Sequence, residues 1–203
     1  AGFYREELLY DKAIDYYKQA LSVNPNNAYI YNNLAKIYFD LNNHKEAMEN
    51  SFKALKMKRN DGEIQKTISF IYLKDHDFEN GWNYFDGRLD LEDFREKNYY
   101  VKKLNNKLYR SKNLINKKGK FIIVREQGVG DEILYSSMYQ DLLNDIDNTV
   151  IECDPRLLNF YKRSFPEYSE KFVSHGTITN DDEKFKEIDN VVYAGSLGRY
   201  YRK

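Results

Sequence analysis

Apolar residues in the first ninety positions recur at helical spacing, and they recur in blocks. Tyr31, Leu34, Ala35 and Tyr38 fall on one face of a helix, and Ala47, Ala54 and Leu55 on one face of the next. The polar run DLNNHKE at 40–46 lies between them and predicts a turn. The same positions reappear one block earlier as Tyr4, Ala13, Tyr17 and Ala20, and one block later as Ile68, Tyr72, Gly81 and Phe85. The small residues Ala35 and Ala47 let paired helices approach, and Tyr31, Leu34 and Tyr38 fill the space between them. NPNN at 24–27 breaks the helix before the next block, because proline lacks an N–H and restricts the residue before it. The constant block length predicts helical hairpins over 1–27, 28–61 and 62–89, the first lacking its first turn.

Near residue 120 the pattern changes to short apolar runs. Strands are expected at 121–124, 150–153, 171–173 and 191–194. Between them, Ile133, Leu134, Met138, Leu142 and Leu143 form one helical stripe. Pro155 is expected to open a second helix carrying Leu157, Leu158, Tyr161 and Phe165, and Pro166 to close it. Strand–helix alternation with short links implies a Rossmann-like parallel sheet. The fold class is therefore α + α/β. Its domains are repeats over 1–89, a Lys- and Asn-rich connector over 90–119, and an α/β half over 120–203. ENGWNYFDGRL at 79–89 ends the repeats with an aromatic cluster that needs a cover.

Charge narrows the function classes. Lys+Arg and Asp+Glu balance at 32 each, which gives no case for a nucleic-acid partner. One cysteine, Cys153, excludes an internal disulfide and suits a reducing, cytoplasmic setting; in a strand interior it reads as a core residue. No run of about 18 apolar residues predicts a membrane span. His44 and His76 lack a second ligand at metal spacing, so no metal site is expected.

The period of the first blocks, about 34 residues, resembles that of tetratricopeptide repeats. The resemblance implies a concave groove, lined by the first helix of each unit, that binds an extended peptide or a protein partner. Asn32, Asn33, Lys36, Phe39 and Asp40 would line it, with Asn33 where some repeats carry a peptide-gripping asparagine. The competing reading is a solvated helix face on units that brace the next domain.

The candidate chemistry lies in REQGVGD at 125–131, between the first strand and its helix. Glycines there allow tight turning, and free N–H groups at a helix start favour anions. A dinucleotide fingerprint would need Gly or Ala where Ile133 stands, and no Gly-Lys-Ser/Thr is present, so NAD and ATP binding are not expected. Asp131 is placed to face a ligand, and also to cap its own helix. His175, after the third strand, lies at the same sheet edge.

With EQGVGDEI, the Gly81–Arg88 ending and SLG at 196–198, the chain resembles bacterial tetratricopeptide proteins fused to a heptosyltransferase-like, glycosyltransferase-B domain. That resemblance implies inverting, metal-independent transfer from a nucleotide-sugar co-substrate, with no resident cofactor, to a glycan or protein acceptor. It makes Asp131 the general base, with Glu126, Gln127, Gly128, Gly130 and His175 as substrate-binding residues. Such enzymes hold most of the donor in a second half that would follow Lys203, so this segment alone is expected to be inactive. The alternative is a non-catalytic interaction scaffold with a degenerate α/β domain.

Overall fold

Asn27 and Asp61 stand one repeat period apart, and each does the same work at the start of a helix. Asn27 Oδ1 accepts from the N–H groups of Tyr29 (3.1 Å) and Ile30 (3.3 Å). Asp61 Oδ1 accepts from Glu63 (3.1 Å) and Ile64 (3.2 Å). Each satisfies two donors that the helix itself leaves open. The computed structural model describes residues 9–97, 107–110, 114, 118–177 and 187–202. Tyr4 and half of the 90–119 connector lie outside them. The chain divides into two compact units, Ala1–Lys97 and Asn98–Lys203.

In the first unit the helices are α1 (Tyr10–Val23), α2 (Ala28–Asp40), α3 (His44–Met57), α4 (Gly62–Lys74) and α5 (Phe78–Phe85). A 3₁₀ turn over Asp86–Asp90 and α6 (Glu92–Lys97) follow. The hairpins α2–α3 and α4–α5 are the expected paired helices, and α2 also packs on α4. Ala13, Ala35, Ala47 and Ala54 are fully buried, as close helix approach requires. Asn42 and His76 take positive φ in the two hairpin turns, again one period apart.

Gly81 stands where the other units have alanine, and the reason is steric. A Cβ there would lie 2.6 Å from Leu73 Cδ2 and 3.1 Å from Leu73 N, so α4 and α5 pack more tightly than a methyl allows. The aromatic ending is covered from within its own unit. Arg88 is buried, with its guanidinium 4.2 Å from the Phe85 ring centroid. Its Nη1 donates to Phe85 O (3.1 Å) and Asp86 Oδ1 (3.2 Å). Trp82 meets Phe85 edge-on at 5.4 Å.

The second unit contains β1 (Lys120–Val124), α7 (Val129–Ser136), α8 (Tyr139–Asp145), β2 (Thr149–Cys153) and α9 (Leu158–Ser164). A 3₁₀ turn (Pro166–Lys171), β3 (Phe172–Ser174), β4 (Ile188–Tyr193), a 3₁₀ turn (Ala194–Leu197) and α10 (Gly198–Tyr201) complete it. The sheet is parallel, in the order β3-β2-β1-β4. Phe121–Val124 of the central β1 and Val191–Tyr193 of β4 at the end of the order are both buried throughout, as strands covered on both faces are. Tyr139, Tyr161, Phe165 and Phe172 form a ring-on-ring cluster, with Tyr161 stacked on Phe172 at 5.5 Å.

Three local expectations are corrected. The single stripe over 133–143 is two helices, because the chain turns at Ser137–Met138 and so buries both Met138 and Tyr139. Pro155 opens a turn at the end of β2, and α9 begins only at Leu158. Ala194 leaves the fourth strand for the 3₁₀ turn that follows it.

One close approach is testable. A Cβ on Gly62 would sit 2.4 Å from the carbonyl oxygen of Gly87, a backbone atom with no side-chain freedom to escape. Gly62→Ala is expected to lower unfolding stability by about 1–3 kcal/mol, read as a lower urea midpoint at unchanged slope. An unchanged midpoint would mean that α4 does not meet the terminal turn as described.

Candidate functional site

Strand order places the candidate site. The chain leaves β1 towards β2 and β3 on one side, then returns to β4 on the other. The loops after β1 and β4 therefore diverge, and open α/β sheets bind ligands in the crevice at that switch point. REQGVGD follows β1, and SLG lies in the turn after β4. Across the crevice the buried carboxylate of Glu126, 3% exposed, accepts a short hydrogen bond from the Gly195 N–H. Glu126 thus pins the two lips together, and its exposure is too small for it to stand as an open substrate ligand.

Gln127 takes a positive φ of 62°. The left-handed residue of this loop is therefore glutamine, and neither Gly128 nor Gly130 is. Gly128 is extended (φ −91°, ψ 173°). A Cβ on Gly128 would make only an ordinary 3.6 Å contact with Asp131 Oδ2, and one on Gly130 would meet nothing within 4 Å. Tight turning is not what these two glycines supply. They leave the mouth of the loop bare.

Asp131 is half-exposed at the third position of α7, and its Oδ2 accepts from the Gly128 N–H at 3.2 Å. This is the N3 half of a capping box; glycine, having no side chain, offers no other half. The cap occupies one carboxylate oxygen and fixes the side chain. Oδ1 has no hydrogen bond to any described residue.

Glu132, one residue on, is the group that sequence reasoning missed. It is 0% exposed. Its Oε2 is 2.9 Å from Arg125 Nε, and its Oε1 accepts from the Asp154 N–H at 2.9 Å. Arg125 Nη2 also approaches Asp154 Oδ2 at 3.4 Å. Arg156 binds Asp154 in a fork, Nε to Oδ1 at 2.9 Å and Nη2 to Oδ2 at 3.0 Å, and holds that carboxyl well below the usual carboxylate range. This network ties the ends of β1 and β2 to α7. Its one local signal is the Arg-x₆-Glu spacing across the strand–helix loop.

His175 lies just after β3, exposed, with Nδ1 3.0 Å from Oε1 of the buried Glu152. Its N–H donates to Cys153 O at 2.8 Å. Cys153 is buried, its thiol donates to Val173 O at 3.3 Å, and burial pushes its pKa up to about 12. It is a core thiol.

On the repeat unit, Lys36 pairs with Glu63 at 3.1 Å and so bridges α2 to α4. Phe39 stacks on His44 at 6.2 Å and carries Lys74 Nζ 4.6 Å over its ring. His44 also pairs with Asp75. Asn33 is half-exposed and Asp40 exposed. Asn32 departs from the expected lining: at 2% exposure it is packed between helices and offers no open face to a peptide.

Residues 9–42 match the family model described as TPR repeat, and residues 28–61 match the one described as Tetratricopeptide repeat. The N-terminal region is thus built of tetratricopeptide repeats, a class that commonly binds proteins or peptides. No curated protein matches the chain in sequence. Among the described residues no group of three or more His, Cys, Asp or Glu could hold a metal ion, and no helix is long and apolar enough to cross a membrane.

Two measurements check the geometry. Glu132→Ala leaves Arg125 and the Asp154 N–H without their buried acceptor, and should destabilise the second unit by about 3 kcal/mol in denaturant titration. Cys153 should resist a thiol reagent at pH 8 until the chain unfolds. Because folding raises its pKa, its stabilising contribution is complete below about pH 9 and is lost as pH rises through about 12. Cys153→Ala should remove one proton from the alkaline stability slope over that range, and an unchanged slope would place the thiol in water.

Proposed function

We propose that the chain couples protein recruitment by its tetratricopeptide repeats to the acceptor side of an inverting, nucleotide-sugar-dependent glycosyltransferase. The observation that carries this reading is the bare loop mouth. Among the described residues Gly128 and Gly130 answer no backbone or packing need, and they flank a carboxylate held by its cap with one oxygen that none of those residues engages. A loop that keeps glycines the fold does not require, at the switch point of a parallel sheet, suits close approach of a ligand to the backbone. In this reading Asp131 Oδ1 accepts the proton of the acceptor hydroxyl as that oxygen attacks the anomeric carbon of the donor. The sugar–phosphate bond breaks on the opposite face, and the nucleoside diphosphate leaves with the electron pair. Gln127, Gly128 and Gly130 line the acceptor, and His175, oriented by Glu152, stands at the same sheet edge. A bacterial origin and a cytoplasmic setting belong to the same reading.

A second reading, a non-catalytic scaffold, is favoured by the internal use of both Glu126 and Asp131 in hydrogen bonds.

Gly130→Ala separates the two readings. Alanine is a better helix former than glycine by roughly 1 kcal/mol, so stability should hold or rise. In the full-length protein that carries this sequence, sugar transfer from a nucleotide-sugar panel should fall with Gly130→Ala and be abolished by Asp131→Asn. Donor binding, read by saturation-transfer NMR, should persist in both. Turnover unaffected by Asp131→Asn, or no transfer from any donor, would leave the scaffold reading.

A further inference from the structure

A cleft of about 480 Å³ opens on the repeat unit between α3 and α5, the second helices of consecutive hairpins. It is lined by Glu49, Phe52, Lys53, Lys56, Arg59 and Tyr84, with Leu55 at its floor. It lies on the helix layer opposite α2 and α4, so it is distinct from the groove expected of the first helices.

Its chemistry has two parts. Phe52 and Tyr84 supply aromatic surface, and Phe52 is exposed. The charge is one-sided, with Lys53, Lys56 and Arg59 facing Glu49 as the single carboxylate of the lining. Lys53 Nζ lies 5.8 Å over the Tyr31 ring, a contact that leaves its charge uncompensated. Lys56 and Arg59 make no side-chain hydrogen bond or ion pair with any described residue. Elsewhere in the unit, Lys36 pairs with Glu63, Arg88 with Asp86 and His44 with Asp75. In a chain of zero net charge, three clustered cations over an apolar floor make a local positive field.

We infer that this cleft is a second protein-docking site, which takes an acidic peptide segment carrying one aromatic anchor. The carboxylates meet Lys53, Lys56 and Arg59, and the ring seats between Phe52 and Tyr84. A nucleic acid would need a basic stripe along the surface, and here the cations are confined to Lys53, Lys56 and Arg59 beside the Glu49 carboxylate. The inference is independent of the chemistry at the α/β unit.

The test uses the whole chain and a fluorescein-labelled hexapeptide, Asp-Glu-Asp-Phe-Glu-Asp, followed by anisotropy. Lys56→Glu/Arg59→Glu should weaken binding at least tenfold, roughly what two reversed charges at a partly desolvated contact cost. Phe52→Ala, or Phe to Ala in the peptide, should weaken it severalfold. Raising salt from about 0.05 to 0.5 M should weaken it further. The charge-matched pair Lys162→Glu/Arg163→Glu, exposed on α9, should change nothing. Matching far-ultraviolet circular dichroism and urea midpoints establish that each variant folds. Three results would overturn the inference: no measurable binding, equal loss in both charge-reversal pairs, or polyphosphate competing as well as the peptide while the Phe-to-Ala peptide binds undiminished.

Discussion

A carboxylate removed from water must find charge-assisted partners or lose its charge, and Glu132 obeys that constraint at the centre of the α/β unit. Its partners come from the ends of two different strands: the Arg125 guanidinium after β1 and the Asp154 N–H after β2. Because Glu132 faces inward on α7, its neighbour Asp131 is turned about 100° away, towards the half-exposed rim. The same α7 start brings Asp131 back over Gly128 N–H, while Glu126 reaches across to Gly195. The mouth of the crossover is therefore shaped by three carboxylates with three different tasks: an anchor, a clasp and a rim group. Only the last keeps an oxygen available to a ligand.

The repeat unit rests on a different constraint, the distance between helix axes. Fully buried alanines at 13, 35, 47 and 54 set it from α1 to α3, and Gly81 shortens it between α4 and α5. The tighter α4–α5 hairpin lets the 3₁₀ turn fold back so that Gly87 meets Gly62. Arg88 is then buried over Phe85, which closes the unit's aromatic end. One consequence of the two-layer arrangement is that first helices pack on one another while α3 and α5 leave a cleft between them.

Much of this architecture is legible in the sequence, for physical reasons. A repeated block states its own period, and caps at Asn27 and Asp61 mark its boundaries. Parallel strands buried on both faces read as unbroken apolar runs, as at 121–124 and 191–193. What was not legible depends on contacts distant in sequence. Glu132 looks like one more acid in the first turn of a helix until Asp154, 22 residues on, comes beside it. Gly128 and Gly130 look like turn residues until Gln127 is found to carry the positive φ. Asn32 looks like groove lining because helical periodicity gives a face but not the packing that covers it. The strand order, which locates the crevice, has no local signature at all.

Function at the α/β unit depends on the loop after β1 being an open ligand mouth. Backbone amide chemical-shift mapping of the labelled chain during titration with N-acetylglucosamine and UDP-N-acetylglucosamine tests this directly. Perturbations are expected to concentrate at Gln127–Asp131 and Gly195–Gly198, with the buried Glu132 network unmoved. Shifts absent from both segments, or confined to the repeat unit, would contradict it.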